Sequence, residues 1–296
     1  MASQTKHYGI IVGVDGSPAS DSAVSWAAHD AAMHGVTLTL MHVENPAAPT
    51  WAQAPILEEL EGWQQAEGRS VLAKAFKIAH DIVPDDAGVP INGELLFSAT
   101  VPTLIDLSDD ADLIVVGTDG RGALTRDLLG SVSSGLVRHA HCPIAVVREE
   151  ESLKPYSAQD PVLVGIDGSP ASELATKIAF DEASRRHVGL IALHAWSDRE
   201  LVEIAGVDWS EIKTDEERLL SEALAGWQER YPDVVVTKQL VCDRPARALV
   251  DASRSAQLVV VGSHGRNVVS RTILGSVSNA VVQSARRPVI VARPSG

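Results

Sequence analysis

A twenty-residue pattern occurs twice in this chain and constrains its fold more than any other feature. Residues 113–132 read LIVVGTDGRGALTRDLLGSV and residues 258–277 read LVVVGSHGRNVVSRTILGSV, an offset of 145 residues. Both keep the spacing Gly, two residues, Gly, nine residues, Gly-Ser, with Asn267 standing where the first copy has Gly122. An apolar, β-branched run that stops at a glycine reads as a buried strand, and Ser131 is expected to cap the helix that follows. The loop therefore joins a strand end to a helix N-terminus. Glycines let backbone N–H groups approach an anion closely, and a helix N-terminus adds unpaired donors and the positive end of a dipole. The same glycines also serve tight turns, but repetition of the whole spacing favours a binding loop. Arg121 and Arg266 follow the second glycine, and Arg126 and Arg271 recur five residues later, so each loop carries two guanidinium groups suited to phosphate oxygens.

The rest of the chain repeats in step with the loops. Residues 10–15, IIVGVD, form a short apolar run followed by Gly16-Ser17-Pro18, where Ser17 is a natural N-cap and Pro18 a natural first helical residue. A helix runs from there to Gly35, its expected C-cap, and residues 37–43 form a second strand. An amphipathic stretch over 57–82, a strand over 91–97 and a helix over 102–110 lead into the glycine-loop strand. A helix over 131–139 and a strand over 144–147 close the half. Strands and helices alternate throughout, which calls for a parallel, doubly wound sheet covered by helices on both faces. Residues 149–161, EEESLKPYSAQDP, are charged, proline-bearing and without periodicity, and read as a linker. The pattern then restarts: VLVGIDGSP at 162–170 matches residues 10–18 at an offset of 152, and His194 repeats His42. The chain is a tandem duplication, with domains expected at 1–148 and 162–296.

Charge and composition exclude several classes. A formal net charge of −14 does not suit a nucleic-acid-binding surface, which needs clustered Lys and Arg. No apolar stretch reaches the length of a membrane span and the first residues lack the layout of a signal peptide, so no membrane insertion and a cytoplasmic location are expected. Cys142 and Cys242 fall at non-equivalent places in the two halves and suggest no disulfide.

Asp15 and Asp167 end the first strand of each half, where a carboxylate faces the crevice at the carboxyl edge of a doubly wound sheet and could accept hydrogen bonds from a nucleoside. Asp-Gly-Ser-Pro is also a good turn and helix start. Ser17 is better explained as a cap than as a nucleophile, and no Gly-x-Ser-x-Gly elbow is present. His139, His141 and Cys142 resemble a metal cluster, but the second half has Ser284, Arg286 and Arg287 there, which argues against a metal. Neither a P-loop nor a Gly-x-Gly-x-x-Gly fingerprint occurs.

VGVDGSP and VGIDGSP, the strands ending LMHV and ALHA, and the two glycine loops together closely resemble the universal stress protein family, over nearly the whole chain. More narrowly they resemble its tandem-domain, ATP-binding members in mycobacteria and related actinobacteria. The resemblance implies two α/β domains of the adenine nucleotide alpha hydrolase-like, universal stress protein fold, related by a pseudo-twofold axis with the last strands adjacent. It implies two sites for ATP, with Mg2+. The first would use Gly13, Asp15, Val43, Gly117, Thr118, Asp119, Gly120, Arg121, Gly122, Ala123, Arg126, Gly130, Ser131 and Val132. The second would use Gly165, Asp167, Ala195, Asp198, Gly262, Ser263, His264, Gly265, Arg266, Asn267, Val268, Arg271, Gly275, Ser276, Val277 and Ser278. A regulatory role in stress, hypoxia or growth arrest is implied, with nucleotide occupancy controlling conformation or contact with a protein partner, a homodimer, and no catalysis beyond weak ATP hydrolysis. Competing readings are a slow ATP-hydrolysing or adenylating enzyme on a related sheet, and a scaffold that binds no nucleotide. Replacing Gly117 or Gly262 by Asp is expected to abolish one site by crowding the ligand and repelling its phosphates.

Overall fold

The computed structural model describes residues 6–46, 54–120, 129–149, 157–196, 209–265 and 274–294, without the side chains of 54–58, 85 and 209–212. The chain divides into two compact units between residues 151 and 152. In the first, β1 (Gly9–Gly13), α1 (Pro18–His34), β2 (Leu38–Glu44), α2 (Ala54–Ile82), β3 (Ile91–Phe97), α3 (Thr100–Leu107), β4 (Ala111–Gly117), α4 (Ser131–His139) and β5 (Ile144–Val147) follow in order. Their strands stand β3-β2-β1-β4-β5, and every pairing is parallel. The second unit repeats this with β6 (Val162–Gly165), α5 (Pro170–Arg185), β7 (Leu190–Trp196), α6 (Trp209–Leu224), the short α7 (Trp227–Arg230), β8 (Val236–Cys242), α8 (Pro245–Ala252), β9 (Leu258–Gly262), α9 (Ser276–Ser284) and β10 (Val289–Ala292). Its strands stand β8-β7-β6-β9-β10, again all parallel.

This order places the site. From β1 the chain moves outward through β2 to β3, then crosses back to β4 and on to β5. Right-handed crossovers put α1 and α2 on one face and α3 and α4 on the other, and each pair packs side by side. The direction reverses between β1 and β4, and in the second unit between β6 and β9. The carboxyl ends of those strands open a crevice, the usual ligand position in such sheets. Around it the core is dense: Ile11, Val12, Ile114 and Val115 of the first sheet are fully buried, as are Ala23, Val24, Ala27, Ala28 and Ala31 of α1. The alanine face lets α1 lie close on the strands. The outer strands β3 and β8 have no fully buried residue, only half-buried and exposed ones.

Local signals were realised with three differences. Ser17 caps α1, its hydroxyl accepting from Ser20 N–H, Pro18 opens the helix, and Gly35 ends it in the left-handed region at φ 65°. Ser169 and Pro170 do the same for α5. However, β1 stops at Gly13, two residues before Asp15, although Val14 N–H still bonds Met41 O at 2.9 Å. Helix α3 begins at Thr100, so Pro102 lies inside its first turn, where a missing N–H leaves no bond unmade, and it ends at Leu107 before a 3-10 turn over Ser108–Asp110. Ser131 is not the cap of α4: Gly130 holds that position with φ −63° and ψ 167°, and Ser131 enters the first turn. No side chain caps α4 or α9, so their first N–H groups face the crevice without an intrahelical partner. No helix among the described residues is long and apolar enough to cross a membrane.

Candidate functional site

Each unit has a cleft at its topological reversal, of about 240 Å³ in the first unit and about 260 Å³ in the second.

Construction starts at the end of β1. Asp15 N–H and Gly16 N–H both donate to Ser20 Oγ at 3.3 Å, and Ser17 N–H donates to Asp15 Oδ1 at 2.9 Å. This turn fixes the carboxylate with its second oxygen towards the glycine loop. A Cβ on Gly120 would stand 2.6 Å from Asp15 Oδ2, so the missing side chain at Gly120 is what admits the carboxylate. The second unit copies the arrangement: Ser169 N–H donates to Asp167 Oδ1 at 2.9 Å, Asp167 N–H to Ser172 Oγ at 3.1 Å, and a Cβ on Gly265 would meet Asp167 Oδ2 at 2.7 Å.

Gly117 serves the helix packing as well as the wall of the cleft. A Cβ there would lie 2.9 Å from the backbone carbon and Cβ of Ala19, and one on Gly262 would lie 2.8 Å from the backbone carbon of Ala171. These glycines let α1 and α5 approach the glycine-loop strands. An aspartate at either position collides with the helix start before it reaches a ligand. Beyond the glycine, Thr118 is buried and its hydroxyl donates to Asp119 Oδ1 at 2.8 Å, while Ser263 Oγ lies 3.0 Å from His264 Nδ1. The loop is tied to α4 by Gly130 N–H on Thr118 O at 2.7 Å and by the Ser133 hydroxyl on the same carbonyl at 3.0 Å.

Of the residues expected for the first site, Gly13, Asp15, Val43, Gly117, Thr118, Asp119, Gly120, Gly130, Ser131 and Val132 line one cleft. Arg121, Gly122, Ala123 and Arg126 lie outside the described residues. Gly165, Asp167, Ala195, Gly262, His264, Gly265, Gly275, Ser276, Val277 and Ser278 line the other. Ser263 is buried beside that cleft and is not part of its wall, and Asp198, Arg266, Asn267, Val268 and Arg271 lie outside the described residues. Sequence reasoning missed the apolar end, formed by Val14, Met41, Leu104 and Val116 in the first unit and by Ile166, Leu193, Leu249 and Val261 in the second. It also missed Ser20 and Ser172, and Thr100 with its counterpart Pro245. Leu104 recurs as Leu249 and Ser20 as Ser172 at the offsets of the duplication, so identity between the halves was the usable signal. The Thr100 hydroxyl donates to Val43 O at 3.1 Å, and Pro245 has no hydroxyl to do so for Ala195.

The arrangement combines apolar side chains, a fixed carboxylate and a rim of glycine backbone and helix N–H groups, and helix N-termini of this kind can hold anions. His42 and His194 do not line the clefts. Each lies buried on its strand and donates from Nδ1 to the carbonyl before the site aspartate, Val14 O or Ile166 O, at 2.6 Å. The His139, His141 and Cys142 run gives no converging ligand set: Cys142 Sγ–H is buried against Pro143 O at 3.4 Å, and burial pushes the thiol up to about 12. His141 instead faces Asp109 at 3.5 Å on the surface.

Comparison with known proteins agrees with this architecture. A model of the universal stress protein family matches residues 9–148 and 159–293. Universal stress protein Rv2005c of Mycobacterium tuberculosis is 55% identical over the full length of both chains, and universal stress protein Rv2623 of the same organism is 51% identical over 100% of this chain and 99% of its own. The crystal structure of a universal stress protein from Archaeoglobus fulgidus superposes with a TM-score of 0.71 at 20% identity, covering 98% of this chain and 99% of that one, which speaks to the fold. With two matched segments that take in both clefts and relatives alike from end to end, this chain belongs to the universal stress protein family.

Proposed function

We propose that each unit binds one ATP with Mg2+, so that a chain holds two, and that occupancy rather than turnover is the output. The observation that carries this reading is the duplicated cleft, in which an apolar end, a fixed carboxylate and an anion-binding rim recur from equivalent residues in both units. The adenine would lie against Met41, Val43 and Leu104, or Leu193, Ala195 and Leu249, with phosphates at the first turn of α4 or α9. Oxygen donors suit Mg2+, which binds through one or two carboxylates together with phosphate oxygens. Asp119 provides such a carboxylate on the first loop.

Catalysis has less support. Among the described residues the titratable groups that line both clefts in equivalent positions are Asp15 and Asp167, each tied through Oδ1 to the N–H of Ser17 or Ser169, and Ser20 and Ser172 are engaged by backbone N–H groups. Positioning phosphates without activating a water or acceptor gives binding with little turnover. In the same reading the bound state is sensed by a protein partner of a cytoplasmic homodimer during stress, hypoxia or growth arrest.

Mass spectrometry of the nucleotide released from freshly purified protein tests ligand identity and stoichiometry together. Adenine nucleotide at about two per chain is expected from two equivalent clefts. Gly120→Ala and Gly265→Ala, which push aside the site carboxylates, should each remove one site in a calorimetric titration while far-ultraviolet circular dichroism stays unchanged. A full complement of ATP bound by the folded double variant would refute the assignment, and hydrolysis near the common enzyme rate of about 10 s⁻¹ would refute the non-catalytic part.

A further inference from the structure

The clefts match in elements and volume, yet the charge on their loops does not. Two residues after the strand-ending glycine, the first unit places Asp119 and the second His264, each half-buried in the wall of its own cleft. Both are held by the hydroxyl of the preceding residue, Thr118 to Asp119 Oδ1 at 2.8 Å and Ser263 to His264 Nδ1 at 3.0 Å. The substitution therefore exchanges an anionic acceptor for an imidazole at one position. In sequence, the two loops also differ in formal charge. Between Gly117 and Gly130, Asp119 and Asp127 offset Arg121 and Arg126, for no net charge; between Gly262 and Gly275 only Arg266 and Arg271 are charged, for a net +2 with His264 neutral. Asp15 and Asp167 contribute equally to the two sites and cancel from the comparison.

We propose that this position sets the metal requirement of each site: the first takes a nucleoside polyphosphate only as its divalent-metal complex, and the second takes the free polyanion as well. The proposal rests on the nucleotide reading above. A carboxylate in the wall repels a polyphosphate, and at a partly exposed site the repulsion is only partly screened. A hard dication shared by the carboxylate and phosphate oxygens reverses the sign of that interaction. An imidazole in the same place donates a hydrogen bond to phosphate with no ion between them.

Calorimetric titration of the whole chain with ATP, in excess magnesium and again in excess EDTA, tests this. The wild type should bind two ATP in magnesium; in EDTA one site should persist and the other weaken by about tenfold or more. Asp119→His should retain both sites in EDTA, and His264→Asp should lose both there. Each variant should still bind two ATP in magnesium, which also reports that it folds, and if one misfolds the other carries the test in the opposite unit. Equal sensitivity of the two wild-type sites to EDTA, or exchanges that leave the pattern unaltered, would overturn the proposal while leaving nucleotide binding intact. No ATP bound in magnesium would overturn both.

Discussion

His42 and His194 sit at the same place in the two units and differ in one bond. Each donates from Nδ1 to the carbonyl preceding its site aspartate at 2.6 Å. On the other side of the ring, His194 Nε2 lies 2.7 Å from Glu216 Oε2 on α6, whereas His42 Nε2 is buried without a hydrogen-bond partner among the described residues, 3.6 Å from Glu44 Oε2, which likewise has none among them. Glu216 follows His194 by 22 residues, and the residue that follows His42 by 22 is Gln64, which is buried. Gln64 lies one turn before Gly68 on α2, and a Cβ on Gly68 would stand 3.0 Å from His42 Cδ2, so helix and histidine face each other as in the second unit. The duplication thus preserved the tie that positions the aspartate turn and let the support behind it diverge. In the second unit ring and carboxylate stand at hydrogen-bonding distance; in the first the nearest carboxylate, Glu44, stands at 3.6 Å, and a hydrogen bond left unmade at a buried nitrogen costs about 1–3 kcal/mol.

The largest effect should be common to both units and so sets the baseline. Gly117→Ala and Gly262→Ala each drive a methyl group into a helix backbone, and each should destabilise its unit by about 3 kcal/mol, the upper end for overpacking. Native-state hydrogen exchange, read separately for amides of β1 and β6, measures this; a strongly unequal loss would show that the units differ in the scaffold as well as at the histidine. Next, Glu216→Ala should make the second unit resemble the first, lowering protection of β6 and β7 by about 2 kcal/mol with β1 and β2 unaffected. Protection that does not change would mean that the 2.7 Å contact contributes nothing. The converse variant, Gln64→Glu, should give His42 its missing partner and raise protection of β1 and β2 by about 1 kcal/mol. Loss of protection there would show that α2 cannot deliver a carboxylate to the ring. The smallest effect is kinetic: exposed Cys242 should react with a disulfide reagent in the native chain, while Cys142, protonated at neutral pH because burial lifts it to about 12, should react only as the first unit opens. Gln64→Glu should slow that second phase.

How much of this was legible depends on the range of the interaction behind each feature. The Ser17 cap and the Gly35 stop follow from local geometry, and the doubly wound order follows from alternation plus handedness. The carboxylates and glycines of the clefts were readable because the duplication prints them twice. What local reading could not supply is which atom needs the space at a glycine. Gly117 and Gly120 look alike in sequence, yet one faces Ala19 across the helix packing and the other faces Asp15 across the site. The cap of α4 was misplaced by one residue because an extended glycine satisfies the geometry of a cap without offering a side chain. Leu104 and Thr100 reach the cleft only through the crossover that packs α3 against β2 and α4, a placement with no local signature.

The division of labour between those two glycines also bears on how such loops drift. If the proposed nucleotide binding holds, a descendant that lost it would be released from the need for open space at Gly120, since among the described residues only the carboxylate of Asp15 stands in the way of a side chain there. It would not be released at Gly117, where α1 keeps pressing whether or not the cleft is filled. In lineages that abandon binding, the second glycine of the spacing should therefore erode first, and the first should persist as a trace of packing. On that reading a loop that keeps only its strand-ending glycine would record helix packing, and one that keeps the glycine beside the aspartate would record the space held open for the carboxylate.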